Sequence, residues 1–520
     1  MFKWIRRKAS DDAAPPQNNP DVAPASQLSC ALADNIASLD ALFTDVDIMR
    51  SRRFQNASAP GLDFCIYFSD GVVDSLLINE HIIAPLLVAD IDPGPGLFEA
   101  VRNCFVMTCD MKETTEMHEI VSDITYGDTL LLIEGSNRAL IISSKSFMLR
   151  SITEPEGEKV LSGPREGFNE GLMANLSMIR RRLRTNELKM RFYTAGAQTN
   201  TTLCICYMDN IVNKNILNEL YRRLETVNID GVIDSNYIAE NIQEGSLLGF
   251  VTTGTTERPD VVAAKLLGGR IAIVVDGSPV VLTIPYLFIE NFQSNEDYYV
   301  NPYYATFSRM LRIIGFFLTM ITPALYIAIS AYHHEILPAP LMINITSERQ
   351  SVPLSAALEA FIMLLVFDIL RETGVRMPSH VGQALSIVGA LVIGQAAVEA
   401  KLVASPMIIV VAFTGITNLL VPKLSAASLV ARYLLLLLAS SFGLLGVVCG
   451  LSILIIHVFN LQSYGVPALM PLDNLSFQEV KDTFFRAPLP KMLTRVAPLS
   501  SNRTRARTGH VGDNPSQKLK

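Results

Sequence analysis

Residues 381–398 read VGQALSIVGALVIGQAAV, and the rest of the chain is understood from this run outward. It carries no charge over 18 residues. At 1.5 Å of rise per residue a helix of that length just crosses the hydrocarbon core of a bilayer. Small residues (Gly382, Ala384, Gly389, Ala390, Gly394, Ala396, Ala397) let helix backbones approach closely where no hydrophobic force drives them together. Gln383, Ser386 and Gln395 bring polar atoms that hydrocarbon penalises unless protein or water meets them. The run therefore predicts a membrane helix packed on other helices or facing an aqueous path.

Around it lies an apolar block, 305–460. Its expected spans are 311–332, with Pro323 as a kink, then 381–398, 405–421 and 433–459, the last long enough to tilt. Residues 356–370 are short and interrupted by Glu359 and Asp368, and read as an amphipathic helix at the interface or partly buried against the bundle. Four spans put both ends of the block on one side. Arg309 and Arg312 stand at the start of the first span, and the tail 461–520 carries Lys481, Arg486, Lys491, Arg495, Arg503, Arg505 and Lys518. The excess of positive charge places the N-terminal half and this basic tail in the cytoplasm.

The block explains a mean hydropathy of +0.31 over the chain. The formal charge is −7, with no basic bias that would suggest nucleic acid. Seven cysteines, none in a CxxC pair, fit reduced thiols better than a disulfide framework or a zinc ribbon. Residues 1–27, rich in Pro, Ala, Asn and Asp, have no apolar run behind Arg6-Arg7-Lys8 and read as a disordered tail, not a signal peptide.

Between tail and block the patterning is α/β and divides in two, at 28–150 and 163–292. In the first, from Leu28 to about Arg53, apolar positions Leu28, Leu32, Ile36, Leu39, Leu42 and Phe43 recur at helical spacing. A strand is expected over 62–68, helices over 72–87 and 117–126, and a hairpin from 128–134 and 138–143 around Gly135-Ser136-Asn137. In the second, a helix begins near Asn169 and ends in Arg180, Arg181, Arg182 and Arg184, read as a solvated helix end or one that faces an acidic neighbouring subunit. A strand over 201–207, a helix over 212–226, a short strand at 231–234, a helix from Pro259 to Leu267 and a hairpin around Asp276-Gly277-Ser278 follow. The fold class is thus an α/β N-terminal half of two subdomains followed by an α-helical transmembrane bundle.

No Walker loop, GxGxxG, HExxH or GxSxG occurs. The His/acid neighbours His118-Glu119 and His333-His334-Glu335 are adjacent residues that point apart on helix or strand. No catalytic residue, metal site or cofactor is expected, and the chain does not read as an enzyme.

Four segments together resemble the A subunit of GerA-type spore germinant receptors: EPEGEKVLSGPREGFNEGLMANLSMIRRRLRT (154–185), TERPDVVAAKLLGGRIAIVVDGSPVVLTIPYLFIENFQSNEDYY (256–299), FDILRETGVRMPSHVGQALSIVGALVIGQAAVEAKLVASPMIIVVA (367–412) and KDTFFRAPLPKM (481–492). LGFVTTGT (248–255) departs from the family's usual approach to TERPD. The resemblance implies a multi-pass protein of the spore inner membrane, in contact with lipid. It further implies assembly with a transporter-like B subunit and a lipoprotein C subunit, and homo-oligomerisation, as a pentamer, into a ligand-gated cation channel that triggers germination. The alternative is a regulatory scaffold without a pore, like the paralogous stage V sporulation protein AF.

Within the channel reading, Gln383, Ser386, Ala390 and Ala397 fall along one side of the helix and are the expected pore-lining residues. Glu399, just beyond, would form a ring of carboxylates favouring cations. In the α/β half the charged motif residues Arg165, Glu166, Glu257, Arg258 and Asp260 are expected to couple domains or subunits through ion pairs, with Glu166–Arg258 as a candidate pair.

Overall fold

Glu134-Gly135-Ser136 and Asp276-Gly277-Ser278 close hairpins at matching places in two separate sheets. Gly135 (φ 80°) and Gly277 (φ 82°) occupy the left-handed region that the turn requires. The computed structural model describes residues 27–59, 61–91, 94, 96–106, 110–146, 155, 157–245, 248–376, 392–470, 480–492, 494–496, 498–502 and 504–505. The chain divides into two units, Met1–Leu149 with Arg180–Met190, and Arg150–Ile179 with Arg191–Lys520.

The first sheet is built from β1 (Met49–Gln55), β2 (Asp63–Ser69), β3 (Met111–Thr114), β4 (Thr129–Ile133) and β5 (Ala139–Ile142), in the order β1-β2-β4-β5-β3. The second uses β6 (Leu188–Ala195), β7 (Thr201–Met208), β8 (Gly254–Thr256), β9 (Ile271–Val275) and β10 (Val281–Ile284), in the order β6-β7-β9-β10-β8. Subtracting five from each label of the second gives the order of the first.

The helices repeat as well. For each sheet one helix precedes the first strand, two helical segments separate the second strand from the third, and one helix separates the third from the fourth. They are Leu32–Leu42, Ser75–Val88, Leu97–Ala100 (continuing to Phe105) and Met117–Tyr126, against Leu172–Arg182, Lys214–Glu225, Ser235–Ile242 and Pro259–Leu267.

The polar closure of each unit is the same too. Buried Asn35 accepts from the Ser29 N–H (2.8 Å) and donates to its carbonyl (2.7 Å). Buried Asn175 makes the same two bonds with Asn169. The first helical N–H of each, Leu32 and Leu172, donates to the hairpin acid, Glu134 or Asp276, at 3.2 Å. A carboxylate at a helix N-terminus satisfies an orphan donor and meets the positive end of the dipole. The α/β half is a tandem duplication of one fold.

Several expectations about elements are corrected. The helix at 28–53 stops at Leu42, and Met49–Gln55 is a strand at the sheet edge. No strand forms at 231–234, where the Val232 carbonyl instead accepts from Thr201 Oγ1 (2.8 Å). The arginine run is not wholly solvated. Arg180 is fully buried and donates to the Thr185 carbonyl (2.8 Å), and Arg184 lies 3.5 Å over the Tyr126 ring.

In the second unit the core is continuous from sheet to apolar helices. Ile205, Ile273, Leu287 and Phe292 belong to one buried cluster with Phe316, Met320, Ala431 and Leu435. Among the described residues two helices are long and apolar enough to cross a membrane, Pro302–Tyr332 and Pro422–Asn460. Helix Ser405–Asn418, expected as a full span, has 14 residues, about 21 Å and shorter than a hydrocarbon core. The expected span 381–398 lies mostly outside the described residues. Ala339–Gln350 is also a helix. The segment expected as an amphipathic helix over 356–370 is a helix from Ala356 to Arg376 that is apolar on its exposed side as well, through Leu358, Phe361, Leu365 and Ile369. Its Glu359 is turned inward, accepting from the Ala404 N–H (2.6 Å), and its Asp368 pairs with buried Arg432 (2.6 Å). The long helix Ser425–Asn460 breaks at Gly443, φ 59° and ψ −138°. A Cβ there would stand 2.9 Å from Tyr332 Cβ, and the Tyr332 hydroxyl donates to the Ser440 carbonyl.

Candidate functional site: buried ion pairs at the foot of the first long apolar helix

Asn301 opens helix Pro302–Ile327, its side chain accepting from the Tyr303 N–H (2.9 Å), with Pro302 in the first turn where no N–H is required. Two turns on, the helix carries Arg309 and Arg312, and both turn back to Asp297 in the short 3-10 helix Asn295–Tyr298. Arg312 Nη2 stands 2.8 Å from Asp297 Oδ1, and Arg309 Nη2 stands 3.3 Å from Oδ2. The Arg309 and Asp297 side chains are 0% and 2% exposed. Arg309 Nη1 also donates to the carbonyls of Asp482 (2.8 Å) and Thr483 (3.1 Å) and pairs with the Asp482 carboxylate (3.2 Å). Tyr298 Oη donates to the same carboxylate (2.8 Å), and burial raises its phenol well above the ordinary range. One aspartate thus holds two arginines of the helix, and one arginine holds the C-terminal segment. Arg309 is hydrogen-bonded through Nε and Nη1, which offsets part of the cost of burying its charge.

A second cluster lies at the start of helix Pro259–Leu267. Arg258 is buried and forks onto Asp260, Nε to Oδ1 at 3.2 Å and Nη2 to Oδ2 at 3.0 Å. Its remaining donors reach the carbonyls of Glu158 (3.2 Å) and Pro164 (2.6 Å). Asp260 accepts in addition from Tyr299 Oη (2.7 Å) and from Asn295 Nδ2. Burial alone would raise the Asp260 carboxyl, but Arg258, Tyr299 and Asn295 outweigh it and hold it below the usual range. Asn295 and Tyr299 flank Asp297, so the two clusters share one short 3-10 turn.

Glu158 extends the second cluster's reach to the other apolar helices. It accepts from Thr256 Oγ1 (2.6 Å) and the Glu257 N–H (3.3 Å) and pairs with Lys423 (3.0 Å), in the turn between Ser405–Asn418 and Ser425–Asn460. Burial pushes its carboxyl up, yet Lys423 and the Thr256 bond bring it below the ordinary value. Nearby, Arg270 and Lys265 share buried Glu290. Burial would raise the Glu290 carboxyl, but Arg270 and Lys265 bring it below its ordinary value. Burial lowers the Lys265 amine to about 8.

Of the residues expected to couple domains, Arg258 and Asp260 are brought together, and Glu257 contributes its backbone. Arg258 spends its donors on Asp260 and two carbonyls, not on Glu166 as expected. Glu166 is half-buried and Arg165 exposed. Of the pore candidates, Gln383, Ser386 and Ala390 lie outside the described residues. Ala397 is half-buried against a cluster that includes Ile327, Ala360 and Met407. Glu399 is exposed and accepts from Gln395 Nε2 (3.0 Å). Asp297, Asp482, Glu158 and Lys423 escaped sequence reasoning. Asp297 and Asp482 sit inside the NEDYY and KDTFFR motifs, and that was the available signal. Among the described residues no group of three or more His, Cys, Asp or Glu side chains could hold a metal ion.

The profile of the Bacillus/Clostridium GerA spore germination protein family matches residues 37–497. The chain is 37% identical to spore germination protein KA of Bacillus subtilis (strain 168) over 463 residues, 89% of this chain and 85% of that protein. It is also 37% identical to the uncharacterized membrane protein YfkQ of the same organism, over 90% and 91% of the two chains. Spore germination protein GerLA of Bacillus cereus is 33% identical over 81% and 86%. The crystal structure of the N-terminal domain of the A subunit of the Bacillus megaterium spore germinant receptor GerK3 aligns over 51% of this chain and 98% of its own length, at 27% identity and a TM-score of 0.40. The chain belongs to the GerA family of spore germination proteins.

Proposed function

We propose that this chain is the A subunit of a nutrient germinant receptor in the spore inner membrane. It works with a transporter-like B subunit and a lipoprotein C subunit, and converts nutrient sensing into cation release. In this reading the α/β half and the C-terminal tail are cytoplasmic, and copies of the chain assemble around a pore. Gln383, Ser386, Ala390 and Ala397 line that pore and Glu399 stands at its mouth. Arg258 and Asp260, from the motif residues, carry the coupling.

The observation that supports the reading is the double hold of Asp297 on Arg309 and Arg312. A turn that packs on the α/β unit is tied by buried charge to a helix long enough to cross a membrane. Buried pairs of this kind move as a rigid element, so rotation of the α/β unit would be carried into the helix. The test is conductance of the purified chain in planar bilayers, alone and with its partner subunits. Cation currents are expected, with selectivity that shifts on Glu399→Lys. An electrically silent assembly that still restores germination to spores lacking A subunits would sink the channel.

A further inference from the structure

The first turns of helix Pro302–Ile327 expose three aromatic rings, Tyr303 (85%), Tyr304 (63%) and Phe307 (62%). The C-terminal segment lies against the same turns. Arg309 donates to the carbonyls of Asp482 and Thr483, and the Arg486 N–H donates to Thr306 Oγ1 (3.1 Å). Held in this way, the segment turns Phe485 (58%) and Leu489 (56%) outward, followed by exposed Lys491.

We propose that these six residues form one membrane-interface anchor. Tyr303, Tyr304, Phe307, Phe485 and Leu489 rest in the boundary between headgroups and acyl chains, and Lys491 meets lipid phosphate. The tail is then not a free cytoplasmic extension but returns to the bilayer surface beside the helix. The proposal rests on the reading that Pro302–Tyr332 crosses a membrane.

Continuity argues for lipid as the occupant. The exposed stripe runs on up the same helix through Leu311, Ile314 and Phe317, each more than two-fifths exposed. Phe317 lies about 21 Å along the axis from Tyr303. A bilayer core is about 30 Å thick, so a Phe317 in its interior leaves Tyr303 at its edge. Tyrosine, with an apolar ring and a polar tip, and lysine, with an apolar stem and a charged head, are the side chains suited to that edge.

The chain has one tryptophan, Trp4, which allows a depth measurement on the whole protein. In a Trp4→Phe background, Phe485→Trp and Phe317→Trp are each reconstituted into phosphatidylcholine–phosphatidylglycerol vesicles. The lipids are brominated either near the glycerol end or near the methyl end of the acyl chain. The anchor predicts that Phe485→Trp loses emission mainly to bromine near the glycerol end, and Phe317→Trp mainly to bromine near the methyl end. Quenching of Phe317→Trp without quenching of Phe485→Trp overturns the anchor and leaves the membrane reading standing. A blue-shifted, unquenched Phe485→Trp overturns it in favour of a protein partner or a second copy. Loss of quenching at both positions overturns the membrane reading itself. Leu489→Trp repeats the measurement should Phe485→Trp fail to fold.

Discussion

Arg309 of the first long apolar helix and Asp297 of the preceding 3-10 turn form an ion pair at 3.3 Å with both side chains removed from solvent. Asp297→Ala leaves that arginine and Arg312 without their shared counter-charge. Removing one partner of a buried pair costs about 3–5 kcal/mol. Asp482→Asn, at a carboxylate 34% exposed, keeps its carbonyl bond to Arg309 and is expected to cost about 1 kcal/mol. Denaturant unfolding of the detergent-solubilised chain ranks the two, and equal losses would contradict the central place given to Asp297.

Exchanging charges within the second cluster should fail to restore it. Arg258 holds two carbonyls, of Glu158 and Pro164, as well as Asp260. In the double variant Arg258→Asp with Asp260→Arg, those carbonyls face an acceptor. Each single variant is expected to lose about 3 kcal/mol, and the double variant to recover little of it. Full rescue in a thermal melt would mean that the pair acts by charge alone.

Stability should fall on the acid side and rise on the alkaline side. Glu158, Asp260 and Glu290 are all held below their ordinary pKa values. Their contribution is fully present above the unfolded values of about 4, and is lost as pH falls through the lower folded ones. Lys265 works in the opposite sense. Its folded value of about 8 lies below the unfolded one, so the unfolded chain binds more protons between about pH 8 and 10, and stability rises there. Melting temperatures measured from pH 3 to 10 should show both slopes, and Lys265→Met should remove the alkaline one.

The duplicated asparagines predict two equal and separate effects. Asn35→Ala and Asn175→Ala each remove two hydrogen bonds made by a buried amide to the backbone of Ser29 or Asn169, at about 1 kcal/mol. Amide exchange should quicken only in the unit that carries the change. Protection lost in both units from either substitution would mean that the two do not unfold separately.

Gly443 breaks its helix at φ 59° and ψ −138°, a conformation open essentially to glycine. Gly443→Ala adds backbone strain and a Cβ 2.9 Å from Tyr332. A loss of roughly 1–3 kcal/mol is expected. Tyr332→Phe, which removes only the bond to the Ser440 carbonyl, should cost less. Detergent-resistance assays compare the two, and a neutral Gly443→Ala would show that the helix straightens without penalty.

Where local rules governed, the sequence was legible. Helices Met117–Tyr126 and Pro259–Leu267 begin and end at the residues their periodicity, proline and terminal glycine predict. Both hairpins form around their glycine turns. β1 and β6 were missed because they are edge strands: MRSRRFQ is mostly exposed and lacks the alternation that marks a half-buried strand. The apolar block was legible from composition, but the inward turn of Glu359 and the Asp368–Arg432 pair were not. They depend on helices separated by dozens of residues.

The sequence by itself determined the α/β and apolar halves, the turns that close each sheet and membership in the GerA family. These follow from apolar content, short-range sterics and motifs read along the chain. Only the tertiary structure decided that the α/β half is one fold made twice, and that Arg258 serves Asp260 rather than Glu166. It alone decided that Asp297 joins two arginines to the helix foot, and that residues 482–486 return to the same place. An arginine accepts any carboxylate or carbonyl that reaches it, so its partner is chosen by the packing that brings distant segments together.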